Sequence, residues 1–370
     1  MLRSRRSLEI GRHPTRKPCL DCAWHTGQML KTGSNTLSSG SIGHALPPQT
    51  TFRSPSAPLA LNSRSLRPDL PACTPEYVCL KWTWVKIIFI FVDGLGLAPA
   101  SPHNPVTETN CPCLHQLIQN HSRPIDACLG VPGLPQSATG QAALFTGLNA
   151  AQAMGRHVEG FPGPSLRALV EADNIFLALK RIAKRGFFAD SYLVESVDEI
   201  RNRRFRSVTT TAALTCPEVI AMRSDLLSNQ AVCHDITRHV LLDKGYPGPV
   251  ITPQAAAEHL VHLALGYDYT LFEFFESDRA GHSGDLAQAA AILARLDAFL
   301  EAVFALALEM GMLVVLTSDH GNIEAINQRS HTFNPVPFIA QGPSAEDLRG
   351  SVTNLVEVTP QILRVLNQAT

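Results

Sequence analysis

The sequence of 370 residues lacks the features that mark several classes of protein. No run approaches the roughly 20 consecutive apolar residues that a membrane-spanning helix needs, and no early apolar stretch resembles a secretory signal. The formal net charge is only −1, so the whole molecule offers no strong field to nucleic acid or to an anionic membrane. We therefore expect neither nucleic acid nor a membrane as a partner.

Regularly spaced cysteines are also absent. The nine cysteines are odd in number and scattered, which argues against a disulfide scaffold and favours a reducing compartment. We therefore expect a cytoplasmic protein. Cys19 and Cys22 form a CxxC pair without close cysteine neighbours. Unpaired thiols are the simpler interpretation of this pair, and a zinc site is the alternative.

The first 84 residues differ in composition from the rest of the chain. Residues 1–84 contain 11 basic and 4 acidic residues, whereas residues 85–370 contain 20 and 28. The first segment is rich in Ser, Pro, Thr and Arg, and its apolar residues follow no sustained helical or alternating period. We predict that residues 1–84 are a disordered or spurious N-terminal extension, with an organellar transit peptide as the alternative.

From Val85 onward, apolar runs of strand length alternate with helix-like segments. Buried strands that alternate with amphipathic helices predict an α/β fold, with a doubly wound, mostly parallel sheet and helices on both faces. Thr359 is the predicted N-cap of the last helix, with Pro360 at its first position. The predicted strands are Val85–Val92, Phe187–Val194, Tyr269–Phe275, Leu313–Thr317 and Val336–Ile339, and the other predicted helices are Gln141–Leu148, Asn174–Arg185, Pro253–Leu265 and Leu286–Met310.

The stretch of about 161–253 is harder to interpret. It contains one plausible strand and a basic cluster at Arg201, Arg203, Arg204 and Arg206. We predict that it is partly core and partly a small inserted cap. Residues 85–370 would then form one catalytic domain.

Carboxylate and imidazole side chains stand next to four of the predicted strands. In a doubly wound sheet, ligands collect at the carboxyl ends of the strands. Each residue taken alone also suits a turn or a structural hydrogen bond, but their combination predicts a metal site. Oxygen and nitrogen ligands together favour zinc or manganese over magnesium. The six candidates are Asp93, Asp278, His282, Asp319, His320 and His331.

A hydroxyl-bearing segment, Gly133–Gln141, leads into a predicted helix. A hydroxyl at a helix N-terminus lies among free backbone N–H groups, which also suit a phosphate. Ser137 is therefore a candidate nucleophile, and Thr139 is the fallback in the same turn. Helix capping is the simpler role for either residue.

The motifs in this order resemble the alkaline phosphatase superfamily, and within it the cofactor-independent phosphoglycerate mutase and phosphopentomutase branch. They are DGxG at Asp93–Gly96, DxxxH at Asp278–His282, SDHGN at Ser318–Asn322 and HTxNPVP at His331–Pro337. The resemblance implies an alkaline-phosphatase-like fold and two divalent ions. One ion would bind Asp278, His282 and His331, and the other Asp93, Asp319 and His320. Ser137 would then carry a phosphoserine intermediate formed from a small phosphorylated substrate.

Two departures from the family pattern bear on the reaction. Gln141 stands where the mutases usually have histidine, and 140 residues separate Ser137 from Asp278, which leaves room for only a small cap. Because a mutase must exclude water while it holds its intermediate, we favour a phosphomonoester hydrolase. A phosphomutase is the main alternative, a phosphodiesterase a weaker one, and a non-catalytic metal-binding relative a remote one.

The candidates for substrate binding are basic. Arg156 and His157 follow the predicted nucleophile helix, and Arg279 lies inside the DxxxH motif. Arg203, Arg204 and Arg206 are a candidate phosphate clamp, since guanidinium groups bind phosphate in a bidentate manner. Solvated surface positions are the simpler reading of each.

Overall fold

The computed structural model of the chain describes residues 85–368. The predicted N-terminal extension, residues 1–84, and the Cys19–Cys22 pair lie outside the described residues.

Seven strands and thirteen α-helices alternate along the described residues. The strands are β1 (Ile87–Val92), β2 (Ser122–Ile125), β3 (Gly186–Ser191), β4 (Ile220–Ala221), β5 (Tyr269–Phe274), β6 (Leu313–Thr317) and β7 (Val336–Gln341). The helices are α1 (Pro112–His121), α2 (Ser137–Thr146), α3 (Ala150–Ala153), α4 (Pro164–Ala172), α5 (Ile175–Arg181), α6 (Val197–Arg201), α7 (Val208–Ala213), α8 (Arg223–Leu227), α9 (Pro253–Ala264), α10 (Glu276–Ser283), α11 (Leu286–Glu309), α12 (Ala345–Ser351) and α13 (Leu355–Gln368).

The strands form one mixed sheet in the order β2-β7-β6-β1-β5-β3-β4. The pairs that join β4, β3, β5, β1 and β6 are all parallel. Strand β7 runs antiparallel to both of its neighbours. The predicted α/β class with a mostly parallel sheet is confirmed. The orientation of β7 has a further consequence, because its start lies at the edge where the parallel strands end.

Helices cover both faces of the sheet, as strand β1 illustrates. Ile88, Ile90 and Val92 belong to one buried apolar cluster, which includes side chains of α1, α9 and α11. The alternate residues Ile87, Phe89 and Phe91 belong to a second cluster, which includes side chains of α2, α5 and α13. Because successive strand side chains point to opposite faces, an uninterrupted apolar strand is the expected signature of a sheet that is buried on both sides.

The start of the last helix differs from the prediction. Helix α13 begins at Leu355, one turn before the predicted N-cap Thr359, so Pro360 lies inside the helix. The Leu355 N–H donates to the Asp126 carbonyl, which ties the start of the helix to the end of β2. The Thr359 hydroxyl donates instead to the Leu144 carbonyl in α2 at 2.7 Å. A tertiary contact between two helices therefore replaces the predicted cap.

The stretch between about 161 and 253 contributes buried side chains to both apolar clusters. Leu166, Ile175 and Val208 belong to the cluster around α2 and α13, while Cys233 and Leu241 belong to the cluster around α11. Strands β3 and β4 also come from this stretch. Among residues 85–368, no helix combines the length and apolar character that crossing a bilayer requires.

Candidate metal centre

The six candidate ligands meet at one edge of the sheet. Asp93 follows β1, Asp278 follows β5, and Asp319 follows β6. His331 precedes β7, and the antiparallel direction of β7 brings it to the same edge. Chain direction therefore explains how a residue before one strand can join residues that follow three others.

Two groups of three side chains form there, and each could hold a cation. The inner set consists of Asp93, Asp319 and His320, all three of which are buried. The outer set consists of Asp278, His282 and His331, of which only His331 is buried. Within each set the candidate ligand atoms lie within 4.8 Å of one another.

The two sets are neighbours. The imidazole rings of His320 and His331 stack with their centroids 3.6 Å apart and an interplanar angle of 15°. Nε2 of His331 lies 3.6 Å from Oδ1 of Asp278, and Nε2 of His320 lies 3.3 Å from Oδ1 of Asp93. One imidazole from each set therefore forms the boundary between them.

Unpaired atoms in the inner set fit a bound cation. Oδ1 of Asp93 and Oδ2 of Asp319 are buried and accept no hydrogen bond. A buried carboxylate oxygen without a partner is costly, since it has lost its hydration. A divalent cation would supply the missing partner for both oxygens, so these residues suit the metal that their motifs predict.

Hydrogen bonds orient the imidazoles of the outer set in a way that also suits a metal. Nδ1 of His331 lies 2.8 Å from the Pro135 carbonyl, and Nδ1 of His282 lies 3.2 Å from the Arg329 carbonyl. Because a carbonyl only accepts, each Nδ1 is the donor. The two Nε2 atoms, 3.2 Å apart, then face each other beside Asp278. A carbonyl partner on the remote ring nitrogen is the usual support of a metal-binding histidine.

The inner set is electrostatically strained without a cation. Burial and the charges of Asp319 and Asp278 raise the pKa of Asp93 well above its ordinary value. Burial also raises the pKa of Asp319. Burial opposes the charged form of His320, but the neighbouring Asp319 and Asp93 outweigh it and raise the pKa of His320 to about 10. In the metal-free protein, protonated His320 would supply the positive charge that a cation otherwise brings.

The outer set is better balanced. Burial opposes ionisation of Asp278, but the hydrogen bond from His282 and the charges of His320 and His282 hold its pKa below the ordinary value. The same hydrogen bond raises the pKa of His282 to about 9. Burial and the charge of His320 lower the pKa of His331 to about 3. His331 is therefore neutral near pH 7, which is the form that binds a metal.

Ser137 lies against the inner set. Its Oγ is 2.9 Å from Nε2 of His320, and it is the first residue of α2. Gly140 allows this helix to approach closely, because a Cβ atom there would lie 2.8 Å from the Asp319 carbonyl oxygen. The fallback Thr139 has a different role, since its hydroxyl is buried and accepts a hydrogen bond from the Val158 N–H at 3.1 Å.

Gln141, where the mutases usually have histidine, contacts the inner set directly. Its Nε2 donates to Oδ2 of Asp93 at 3.2 Å, and the side chain is buried in α2. The sequence identified this position as a departure from the pattern but did not indicate a contact with Asp93.

The predicted substrate residues lie in different surroundings. Arg156 is exposed, and Nε2 of His157 hydrogen-bonds the Val131 carbonyl at 3.2 Å in the loop before α2. Arg279 is exposed and lies over the Phe275 ring, 4.7 Å from its centroid, one residue after the ligand Asp278.

The three clamp arginines do not share one partner. Arg203 lies 5.5 Å from the centroid of the Tyr192 ring, and Arg204 lies over the Phe205 ring. Arg206 donates to the Arg201 carbonyl at 3.1 Å. Arg203 therefore lies beside the end of β3, since Tyr192 directly follows that strand.

Sequence reasoning missed several polar side chains around the centre. Asn322 holds the outer set, because its Nδ2 donates to Oδ1 of Asp278 at 2.6 Å. Glu273 lies within β5, and Asp190, near the end of β3, accepts the Glu273 N–H at 2.8 Å. A carboxylate inside the otherwise apolar run of β5 was the available signal for Glu273, since such a residue needs a polar partner.

Similarity to a known family lies in the last third of the chain. A family model described as "Metalloenzyme superfamily" matches residues 247–369. The 2,3-bisphosphoglycerate-independent phosphoglycerate mutase of Cereibacter sphaeroides is 29% identical over 127 residues, which are 32% of this chain and 25% of that protein. The enzyme of the same name from Agrobacterium fabrum is 32% identical over 113 residues, which are 28% of this chain and 22% of the relative. The chain thus spans about a quarter of the length of these relatives.

Solved structures align over a longer part of the chain at lower identity. The PH0037 protein from Pyrococcus horikoshii aligns over 77% of this chain and 97% of its own, with a TM-score of 0.49 and 14% identity. The alkaline phosphatase of the Antarctic bacterium TAB5 aligns over 76% of this chain and 98% of its own, with a TM-score of 0.41 and 12% identity. The family match includes the DxxxH, SDHGN and HTxNPVP motifs, and it confirms the resemblance inferred from them.

Proposed function

We propose that this chain, whose last third matches a metalloenzyme family model and whose motifs resemble the alkaline phosphatase superfamily, transfers phosphoryl groups with the help of two divalent ions. We propose further that it hydrolyses small phosphate monoesters through a phosphoserine at Ser137. The observation that carries this proposal is the position of the Ser137 hydroxyl, 2.9 Å from His320 of the buried inner set and at the N-terminus of α2.

Each ligand set has a defined role in this proposal. The inner set would hold one ion beside Ser137, and the outer set would hold the other. Bound divalent ions, manganese or zinc, would lower the pKa of the serine hydroxyl and neutralise charge on the phosphoryl oxygens. The backbone N–H groups of Ser137 and Ala138, at the start of α2, have no intrahelical partner, so they can bind the phosphoryl oxygens, whereas the Thr139 N–H donates to the Val158 carbonyl.

In this proposal the reaction consists of two successive displacements at phosphorus, first of the ester oxygen and then of the Ser137 oxygen. The Ser137 oxygen, having lost its proton, forms a bond to phosphorus while the bond from phosphorus to the ester oxygen breaks. The ester oxygen takes up a proton and leaves as an alcohol. A water molecule then attacks the phosphoserine, which releases inorganic phosphate and returns the Ser137 oxygen to its starting state.

Packing of the segment between Ser137 and Asp278 favours water as the acceptor. Within the described residues 85–368, this segment builds three strands, β3, β4 and β5, and contributes side chains to both apolar clusters, so little of it remains to close over the centre. Transfer to a second hydroxyl of the substrate is the alternative, since the matched relatives are named as phosphoglycerate mutases. A small cap within residues 161–253 of a single catalytic domain stays a prediction, as do a cytoplasmic location and a diesterase activity.

Basic side chains near the ends of β3 and β5 are the candidates for binding the rest of the substrate. Arg279 and Arg203 lie over rings that directly follow these two neighbouring strands. Partial burial and the charges of Arg279 and Arg203 lower the pKa of Lys244, so a third cation lies near them. We propose that Arg279 contacts an anionic part of the substrate. Arg156 and His157 are weaker candidates, since His157 is held by the Val131 carbonyl.

A comparison of two hydroxyl variants tests the proposed nucleophile. With manganese or zinc added, we expect the protein to release phosphate from p-nitrophenyl phosphate, and Ser137→Ala to lower the rate by at least about a thousandfold. Thr139→Val, the matched control, should retain most of the activity. Mass spectrometry of acid-quenched protein should find phosphate on Ser137.

Other substrates separate this proposal from its alternatives. Conversion of 3-phosphoglycerate to 2-phosphoglycerate without phosphate release would establish the mutase, and faster release from bis-p-nitrophenyl phosphate would indicate a diesterase. An equal rate for Ser137→Ala and the unmodified protein would refute the assigned nucleophile. Absence of bound metal together with inactivity toward a broad panel of esters would favour a non-catalytic relative.

A further inference from the structure

Glu324 lies in the loop after β6 and belongs to neither ligand set, yet its carboxylate reaches the loops of both. The residue is 1% exposed. Within the described residues, four donors contact its two carboxylate oxygens, and they come from three separate segments of the chain. A buried carboxylate with this many donors is fully satisfied, so its position is strongly determined.

Oε2 of Glu324 fastens the loops of the inner set. It accepts the Gly96 N–H at 2.9 Å and the Asn322 N–H at 2.8 Å. Gly96 lies three residues after Asp93, and Asn322 lies two residues after His320. These two bonds therefore hold the loop after β1 against the loop after β6.

Oε1 of Glu324 fastens the loop that carries His331. It accepts the Thr332 hydroxyl at 2.5 Å and Nδ2 of Asn334 at 3.0 Å. Thr332 directly follows His331, so the bond acts on the backbone next to a ligand of the outer set. One oxygen of the Glu324 carboxylate therefore contacts the loops of the inner set, and the other oxygen contacts the loop that carries His331 of the outer set.

Two glycines, Gly96 and Gly321, pack closely against the Glu324 carboxylate. A Cβ atom at Gly96 or at Gly321 would collide with the Glu324 carboxylate. Glycine at both positions thus lets the loops close around the carboxylate, a requirement of close approach rather than of backbone angle.

We propose that Glu324 is a positioning residue that couples the two metal sites, so that an ion in one ligand set organises the ligands of the other. This inference rests on the proposed function, because it assumes that the two sets bind metal. A displacement of the His331 loop moves Oε1, and the rigid carboxylate transmits it through Oε2 to the loops of Asp93 and His320. Supporting contacts of this kind typically change metal affinity by about ten- to a hundredfold.

Manganese titration of the metal-free protein, followed by calorimetry and by the electron paramagnetic resonance of free Mn²⁺, tests the coupling. We expect the unmodified protein to bind two ions in one cooperative transition. Glu324→Gln keeps the shape but leaves a single acceptor oxygen for four donors. It should weaken both sites by about ten- to a hundredfold and split the transition into two independent steps.

Two further variants separate coupling from a general loss of stability. The double variant Thr332→Val with Asn334→Ala removes both Oε1 contacts, together with the local bond from the Asn334 N–H to the Thr332 hydroxyl, and leaves both Oε2 contacts in place, so it should weaken the outer site and abolish cooperativity while the inner site keeps its affinity. Asp297→Asn is the matched control, because this buried carboxylate accepts the N–H groups of Cys113 and Leu114 at the start of α1. It should lower the melting temperature and leave both manganese affinities unchanged.

The manganese titrations distinguish loss of coupling from a general loss of stability. Manganese affinities and cooperativity in Glu324→Gln that equal those of the unmodified protein, with only a lower melting temperature, would overturn the coupling while the proposed function stands. Unmodified protein that binds no manganese would refute the proposed function and this inference together. Split, weakened binding in Glu324→Gln, with the Asp297→Asn control intact, supports the proposal.

Discussion

The inner and outer ligand sets use the same two kinds of side chain, carboxylate and imidazole, in different surroundings. The inner set has two carboxylates and one imidazole, all buried, whereas the outer set has one carboxylate and two imidazoles, of which only His331 is buried. In the inner set, burial disfavours the negative charges of Asp93 and Asp319 and raises the pKa of both carboxyl groups. In the outer set, the hydrogen bond from His282 stabilises the negative charge of Asp278. The inner set therefore gains more from a cation than the outer set does.

This difference predicts unequal behaviour of the two ions. An ion in the inner set would relieve repulsion between two carboxylates that are themselves buried. An ion in either set replaces a proton on a histidine, His320 in the inner set and His282 in the outer set, but only the outer set is partly exposed to solvent. Because the outer set is partly exposed, we expect its ion to exchange faster than the ion of the inner set.

The largest expected effect is on the ligands themselves, through Asp319→Asn and His282→Gln. Each variant should lower manganese affinity at its own site by more than about a hundredfold, since a direct ligand contributes more than a supporting contact. In the metal-free protein, the two substitutions should change the melting temperature differently. Asp319→Asn removes a buried charge that repels Asp93, so its melting temperature should rise or stay constant, whereas His282→Gln removes the partner of Asp278 and should lower it.

Thermal unfolding in the presence of a chelator measures this contrast. A fall in melting temperature for Asp319→Asn that matches the fall for His282→Gln would show that the inner set is not under electrostatic strain.

The next largest expected effect is on the pH dependence of the melting temperature of the metal-free protein. Titration of Glu273 should account for part of this dependence. Burial and the charge of Asp93 raise the pKa of Glu273 from 4.5 to about 8 in the folded protein. Folding therefore favours its protonated form, so its stabilising contribution is complete below about pH 4.5 and is lost as the pH rises through about 8. Glu273→Gln stays neutral and should flatten the decline in melting temperature between pH 5 and pH 9. Parallel curves for the two proteins would contradict the raised pKa.

The smallest expected effect concerns the side chains that support each set. Gln141→Met removes the donor to Asp93, and Asn322→Leu removes the donor to Asp278. Each donates to a charged acceptor, so each loss should weaken manganese binding at the adjacent site by about tenfold. Titrations in the Glu324→Gln background, where the two binding steps should separate, should assign Gln141 to the inner and Asn322 to the outer set. An effect of Gln141→Met on the outer site alone would contradict this assignment.

Much of the fold and of the centre is predictable from local patterns. The apolar run that becomes β1, the helices α9 and α11, and the mostly parallel sheet follow from periodicity. The six candidate ligands were identifiable because each lies in a short motif next to a strand. The start of α13 was not predictable, because the bonds that define it come from Asp126 and from Leu144 in α2, which are far away in the chain.

Glu324 and Gln141 show where sequence reasoning stops. Glu324 is an ordinary polar residue in the sequence, and Gln141 differs from the mutase pattern without any indication of what it contacts. Their importance comes from partners that lie up to 228 residues away, such as Gly96 for Glu324. Hydrogen bonds between residues so far apart in the chain depend on which loops meet in the folded protein. Local sequence patterns do not show which loops meet.

The amino-acid sequence alone determined which chemical groups are available and which strand each one adjoins, because alternation, turns and short motifs are local properties of a chain. Tertiary structure decided that one imidazole of each set would stack on the other, that Ser137 rather than Thr139 would approach His320, and that a single carboxylate would bridge the loops. These outcomes depend on the reversed direction of β7 and on close helix packing, which arise only when distant segments bury their apolar surfaces together.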